Sequence, residues 1–329
     1  MRRPLLRLEV HLVSLVTAVA AAGQALPDLS PSAQAAGALQ SLSLDPARRA
    51  ALQAAVQKRD YAFAEQLLAE EARRDPSSPA ILLVLGNVLF LDGQYLNAAV
   101  ALKKADRLSR LDERHRLLLA LSYIAMGRLN WAGPELDKLA QANPSNAVYP
   151  YWLSRVAYSK NHIRAALAQA QKAVQLDPNY MKAYDQLGLC YENADEPEQA
   201  ITAYREAIRL NRKLPAQSPW PFANLGTLLF RLERFDEAEA SLREAIAIDP
   251  RFPVARFRLG RVLERKKRLD EAVAELEQAA RLDPSYPEPH YALSRIHRQR
   301  EQADAARREL RTFQELKSRE KREGAAALR

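Results

Sequence analysis

The chain has one cysteine, Cys190, in 329 residues. It therefore makes no internal disulfide, no cysteine-built zinc cluster and no Cys-x-x-Cys redox pair. Cys190 lies between Leu189 and Tyr191 and reads as a small buried hydrophobe. Glycine is scarce too, at 10 residues, and none of these forms a phosphate-cradling loop or a Gly-x-Ser-x-Gly nucleophile turn. Of the five histidines, His11, His115, His162, His290 and His297, only the last two could share a helix face. They are seven apart and have neither i, i+4 spacing nor a third ligand, so no metal is expected. No Asn-x-Ser/Thr acceptor occurs with x other than proline. The carboxylates concentrate in short polar breaks, as at Asp92, Asp195, Asp236 and Asp270, where helix connections need them. Together these absences argue against an enzyme and against a cofactor.

What the chain does have is a rhythm. Pro76, Pro144, Pro178, Pro250 and Pro284 are separated by 68, 34, 72 and 34 residues, that is, by multiples of 34 with one insertion of four. Four of them follow an aspartate (Asp75, Asp177, Asp249, Asp283) and Pro144 follows Asn143. A fixed period of this size marks an array of small supersecondary units. Within the unit ending at Pro250, Phe222, Leu225, Leu229 and Leu232 recur at helical spacing. After a polar break Ala238, Leu242, Ala245 and Ile246 do the same. Gly226 and Ala238 are small enough to let two helices approach closely, and Asp249-Pro250 ends the second helix.

The pattern recurs as Leu85-Gly86 with Ala98, Leu102 and Ala105, as Leu187-Gly188 with Ala200, Tyr204 and Ala207, and as Leu259-Gly260 with Ala272, Leu276 and Ala279. This succession of large residue, Leu-Gly, large residue, Ala, large residue, Ala and Pro resembles the tetratricopeptide repeat family. The resemblance implies an all-α fold, a right-handed superhelical solenoid of stacked antiparallel helix pairs. Eight units are expected across residues 45–318, beginning near Asp45, Pro79, Glu113, Ala147, Met181, Pro219, Pro253 and Pro287, with the first and last degenerate. Residues 211–219 read as a lengthened loop and 319–329 as a charged tail.

The N-terminus reads as an address. Arg2, Arg3 and Arg7 precede an apolar run from Leu12 to Ala22, and small residues follow with cleavage options ending at Ala20, Ala22 or Ala25. That layout predicts a secretory signal at 1–25 and a flexible lead-in at 26–44. The run of 11 is far shorter than the roughly 20 residues of a membrane span, so no transmembrane segment is expected in the mature chain. The expected location is the bacterial periplasm or the exterior, with an uncleaved stub on a cytoplasmic protein as the alternative.

The formal charge of +9 is unevenly placed: residues 1–25 carry +2, residues 26–250 sum to zero and residues 251–329 carry +7. In the resembled family, first helices line a concave face that receives extended or helical peptides. Helical phase about the Leu-Gly pairs gives a largely apolar inward set in the early units, Leu83, Asn87, Phe90, Leu117, Leu121 and Ile124. Further along it gives Tyr151, Arg155, Lys182, Trp220, Asn224, Phe257, Arg258, Arg261, Tyr291, Arg295 and Arg298. Arginine beside aromatic rings suits a partner with acidic and apolar residues. The expected function is a scaffold or adaptor binding a protein or peptide partner within a larger assembly. The alternative is a binder of polyanions or nucleic acid through the basic end. The neutral stretch from 26 to 250 weighs against nucleic acid. The family's carboxylate clamp of paired cations and asparagines is not reproduced in one place. Partner identity and oligomeric state are left open by the sequence.

Overall fold

The computed structural model describes Leu42 and residues 44–327. The expected signal at 1–25 and most of the lead-in lie outside the described residues. Among the described residues the chain is sixteen helices with no strand, as the all-α reading requires. They form eight antiparallel pairs: α1 (Pro46–Gln57) with α2 (Tyr61–Arg74), α3 (Pro79–Leu91) with α4 (Tyr95–Leu108), α5 (Glu113–Ala125) with α6 (Leu129–Ala142), and α7 (Val148–Ser159) with α8 (Ile163–Leu176). The remaining pairs are α9 (Met181–Asn193) with α10 (Pro197–Asn211), α11 (Trp220–Arg231) with α12 (Phe235–Ile248), α13 (Pro253–Arg265) with α14 (Leu269–Leu282), and α15 (Pro287–Gln299) with α16 (Ala303–Ala327). Two compact units result, one of α1–α8 ending at Leu176 and one of α9–α16 starting at Asp177.

One turn joins the two helices of every pair. Arg59, Gly93, Gly127, Asn161, Asp195, Glu233, Lys267 and Glu301 all have φ between 59° and 77°, a left-handed conformation. The following residue's amide reaches back over the turn in each case, from Asp60 to the Ala55 carbonyl through to Gln302 and His297, at 2.8–3.0 Å. This is a Schellman closure, which satisfies the last carbonyls of the first helix. Only two of the eight positions are glycine.

A second turn joins pair to pair and explains the Asp-Pro signature. Asp75, Asp177, Asp249 and Asp283 each accept, through Oδ1, the amide two residues on, that of Ser77, Asn179, Arg251 or Ser285, at 2.9–3.2 Å. The proline stops the helix and the aspartate side chain closes the turn beyond it. Where four residues are inserted, Asn211 takes over. Its buried amide donates to the Ser218 carbonyl at 2.9 Å and its Oδ1 accepts the Ser218 N–H at 2.8 Å, closing the longer loop.

The Leu-Gly pairs set the distance within a helix pair. A Cβ added at Gly86, Gly226 or Gly260 would meet Leu102, Leu242 or Leu276 Cγ at 2.7–2.8 Å, and at Gly188 it would run into the Tyr204 ring. Each covering residue lies sixteen positions on and is fully buried. Where Ser154 replaces the glycine, its covering position is the small Ala170, and the Ser154 hydroxyl donates to the Ala166 carbonyl at 2.7 Å. The core of the second unit runs through Tyr204, Phe222, Leu228, Leu242, Leu259, Leu276 and Ile296 as one cluster. The last helix, α16, continues without a break past Ser318 into the stretch read as a tail.

Candidate partner-binding surface

The inward-phase residues of the first helices fall into repeat slots. Phe257 and Tyr291 share one slot, Thr227, Arg261 and Arg295 the next, and Phe230, Glu264 and Arg298 a third, each set spaced by 34. On α15, Tyr291, Arg295 and Arg298 are spaced by four and three and form one stripe. Neighbouring first helices interlock through these slots. The Arg261 guanidinium lies 5.8 Å above the Phe230 ring, and Arg295 Nη2 lies 3.0 Å from Glu264 Oε1. Arg261 Nε is also 3.3 Å from Glu264 Oε2.

Glu264 is therefore a buried carboxylate held between two arginines. Sequence phase placed Arg261 and Arg295 facing a partner but did not find Glu264 beneath them. The signal was present: an acid in the slot held by Phe230 one repeat earlier. Arg261 and Arg295 are thus partly compensated from within, whereas Arg298 is exposed and makes no ion pair among the described residues.

The other expected residues divide between surface and packing. Tyr291 is 46% exposed, its ring centroid 5.2 Å from that of Phe313 on α16. Phe257 is half-buried, edge-on to Tyr286, and Trp220 is half-buried, edge-on to Phe252. The guanidinium of Arg258 donates to the Ala223 carbonyl at 3.0 Å, and its burial pulls the pKa below the ordinary arginine value. Asn224 is buried and its amide donates to both oxygens of Asp185 at 3.1 and 3.2 Å. Both side chains, set facing a partner by inward phase, are thus engaged within the second unit. Lys182 is half-buried on α9.

In the first unit Tyr151 and Arg155 are buried. Arg155 Nη1 donates to the Tyr151 hydroxyl at 3.1 Å, and its guanidinium stacks 5.2 Å from the Trp152 ring. These two side chains serve the packing of α7. Asn87, from the inward set of the early units, is buried with its Nδ2 3.4 Å from His115 Nε2. Among the described residues no group of three or more His, Cys, Asp or Glu could hold a metal, and no helix is long and apolar enough to cross a membrane.

Known proteins share this architecture. Family models described as tetratricopeptide repeat match residues 49–113 and 224–287, residues 179–251 and residues 265–315. The chain is 26% identical over 200 residues to the TPR repeat-containing protein YpiA of Bacillus subtilis, covering 58% of this chain and 45% of that one. It spans less than half the length of the curated relatives it matches. Among solved structures it resembles the Cut9–Hcn1 hetero-tetramer of the APC/C, with a TM-score of 0.61 and 18% identity over 70% of this chain and 45% of that one. It also resembles PilW, a type IV pilus biogenesis factor, with a TM-score of 0.56 and 17% identity over 61% of this chain and 92% of that one. The Leu-Gly slots, the sixteen paired helices and these matches, which together cover more than half of the sequence, agree that the chain belongs to the tetratricopeptide repeat family.

Proposed function

We propose that this chain is a non-catalytic scaffold that holds a protein partner, presented as an extended or helical segment, along the first-helix face of its second unit. The observation that carries the reading is the α15 stripe of exposed Tyr291, Arg295 and Arg298, the last making no ion pair among the described residues, next to Phe257 on α13. A planar cation fork beside an aromatic face receives a carboxylate next to an apolar side chain. The +7 carried by residues 251–329 favours an acidic partner over a neutral one. The signal-like layout of residues 1–25 further supports export, to the periplasm or beyond.

Two experiments test this. A photo-cross-linking amino acid at position 291, expressed in the native host, should yield a protein adduct whose cross-linked segment holds Asp or Glu beside large apolar residues. A nucleic-acid adduct, or none, would refute the reading. Sequencing the N-terminus of the protein from that host should find a start between Ala21 and Leu26, and an intact Met1 or Arg2 would refute export.

A further inference from the structure

The turns of the third and fourth pairs, in the first unit, frame a cavity of about 510 Å³ lined by residues 127–131 with Lys160 and His162. Its lining holds three basic side chains and no acidic one. The Trp131 ring is 55% exposed, with the Arg128 guanidinium 5.7 Å above it and Tyr123 edge-on behind it at 5.5 Å. Arg128, Lys160 and His162 make no ion pair among the described residues.

The repeat itself shows what is missing. Three repeats later, 106 positions on, the same slots form a closed ion network. There Arg234 pairs with Glu237 at 2.6 Å and Lys266 with Asp236 at 2.6 Å, while Lys266 and Arg268 both reach Glu239 at 2.8 Å. Counting back 106 positions, the cations Arg234, Lys266 and Arg268 become Arg128, Lys160 and His162. The acids Asp236, Glu237 and Glu239 become Asn130, Trp131 and Gly133. The basic half of the network is kept and the acidic half is replaced by an amide, an indole and a glycine. Arg128 also sits at the N-cap of α6, whose first turn carries no acid. Positive charge at a helix N-terminus is unfavourable unless an anion answers it.

We infer that this cavity is a second binding site, for an acidic peptide segment whose carboxylates occupy the places of the three missing acids while an apolar side chain lies on Trp131. The neighbouring α4 supports the apolar part. It exposes Leu96 and Val100, which share slots with Asn130 and Pro134 one repeat on. The site is distinct from the α13–α15 face and does not depend on it.

The test pans a displayed random 16-residue peptide library against the full chain and measures the enriched peptides by fluorescence anisotropy. Peptides with two or more Asp/Glu within four residues of a large apolar residue should be enriched. The decisive variant restores the acids: Asn130→Asp with Gly133→Glu. Nothing lies within 4 Å of a Cβ added at Gly133, so the side chain fits, and replacing a helical glycine should raise the melting temperature. This variant should bind the peptides at least tenfold more weakly while folding better. Trp131→Ala and the pair Arg128→Ala with Lys160→Ala should also weaken binding tenfold, and Tyr291→Ala with Arg298→Ala should leave it unchanged for these peptides. The inference is overturned if the acid-restored variant binds as tightly as the parent. It is also overturned if no enriched peptide is acidic, or if only the Tyr291 and Arg298 substitutions matter. Displacement by inorganic phosphate or ATP with no acidic peptide enriched would assign the cavity to a free anion and overturn it equally.

Discussion

Lys267 holds a left-handed backbone, φ 64°, at the turn between α13 and α14, and no ion pair engages its side chain among the described residues. That conformation costs an L-residue roughly 1–2 kcal/mol, while glycine adopts it freely and gives back about 0.5–1 kcal/mol through the unfolded chain. Lys267→Gly should therefore stabilise the protein by about 0.5–1 kcal/mol, read as a raised midpoint in urea; an unchanged or lower midpoint would mean the turn carries no strain. The opposite sign is expected at Gly226. Leu242 Cγ would lie 2.7 Å from an added Cβ, and the Ala238 carbonyl 3.2 Å, and Leu242 is itself fully buried. Gly226→Ala should destabilise by about 1–3 kcal/mol, an overpacking cost, measured by the same unfolding curve. The two positions also differ in how they read from sequence. The Leu-Gly pair is legible because its glycine is invariant among four repeats of one chain, spaced with its covering leucine or tyrosine. The turn is illegible because five different side chains, besides glycine, occupy one backbone state, so no residue type announces it.

At the scale of an element, the α12–α13 junction is tied by Glu239, whose carboxylate faces Lys266, Arg243 and Arg268. Burial pushes its pKa up, but the hydrogen bonds from these three cations outweigh that and bring it down to about 2, from an ordinary 4.5. A depressed carboxylate contributes stability that is complete above the unfolded pKa and is lost as pH falls through the folded one. The junction should therefore weaken between about pH 4.5 and pH 2. Glu239→Gln should remove about 1.5–3 kcal/mol at neutral pH and flatten the acid limb of the stability curve in that window. A parent and variant with parallel acid limbs would show that Glu239 titrates normally. Ties of this kind span 27–30 positions and cross from one repeat to the next. Periodicity within a repeat revealed the helices and their apolar faces, because those depend on neighbours three and four residues away. It did not reveal the ties, because each partner looks, in its own helix, like one more solvated charge.

Across the whole chain, the basic excess lies in the last two repeats, but the arginines there are not equivalent. Arg258 is bound to a carbonyl, and Arg261 and Arg295 share Glu264. Truncating Arg261 or Arg295 leaves a buried carboxylate with one cation fewer, so a loss of binding there would be entangled with a loss of stability. Arg298 carries no such obligation, and Tyr291 offers its ring to solvent. These two are where an acidic, apolar partner segment should be felt. Once a partner carboxylate covers Arg298 and excludes water, cutting that pair costs about 2–5 kcal/mol and acts on dissociation rather than encounter. Arg298→Ala and Tyr291→Ala should each speed dissociation of the partner found by cross-linking at position 291 by tenfold or more, with the unfolding midpoint unchanged. Lys317→Ala, on α16, removes a rim cation already paired with Glu288 and Glu320 and should alter only the salt dependence of association. Dissociation rates measured for the three variants decide the matter: equal rates in all three would mean that the basic end is a solvated surface and that the partner, if acidic, is held elsewhere.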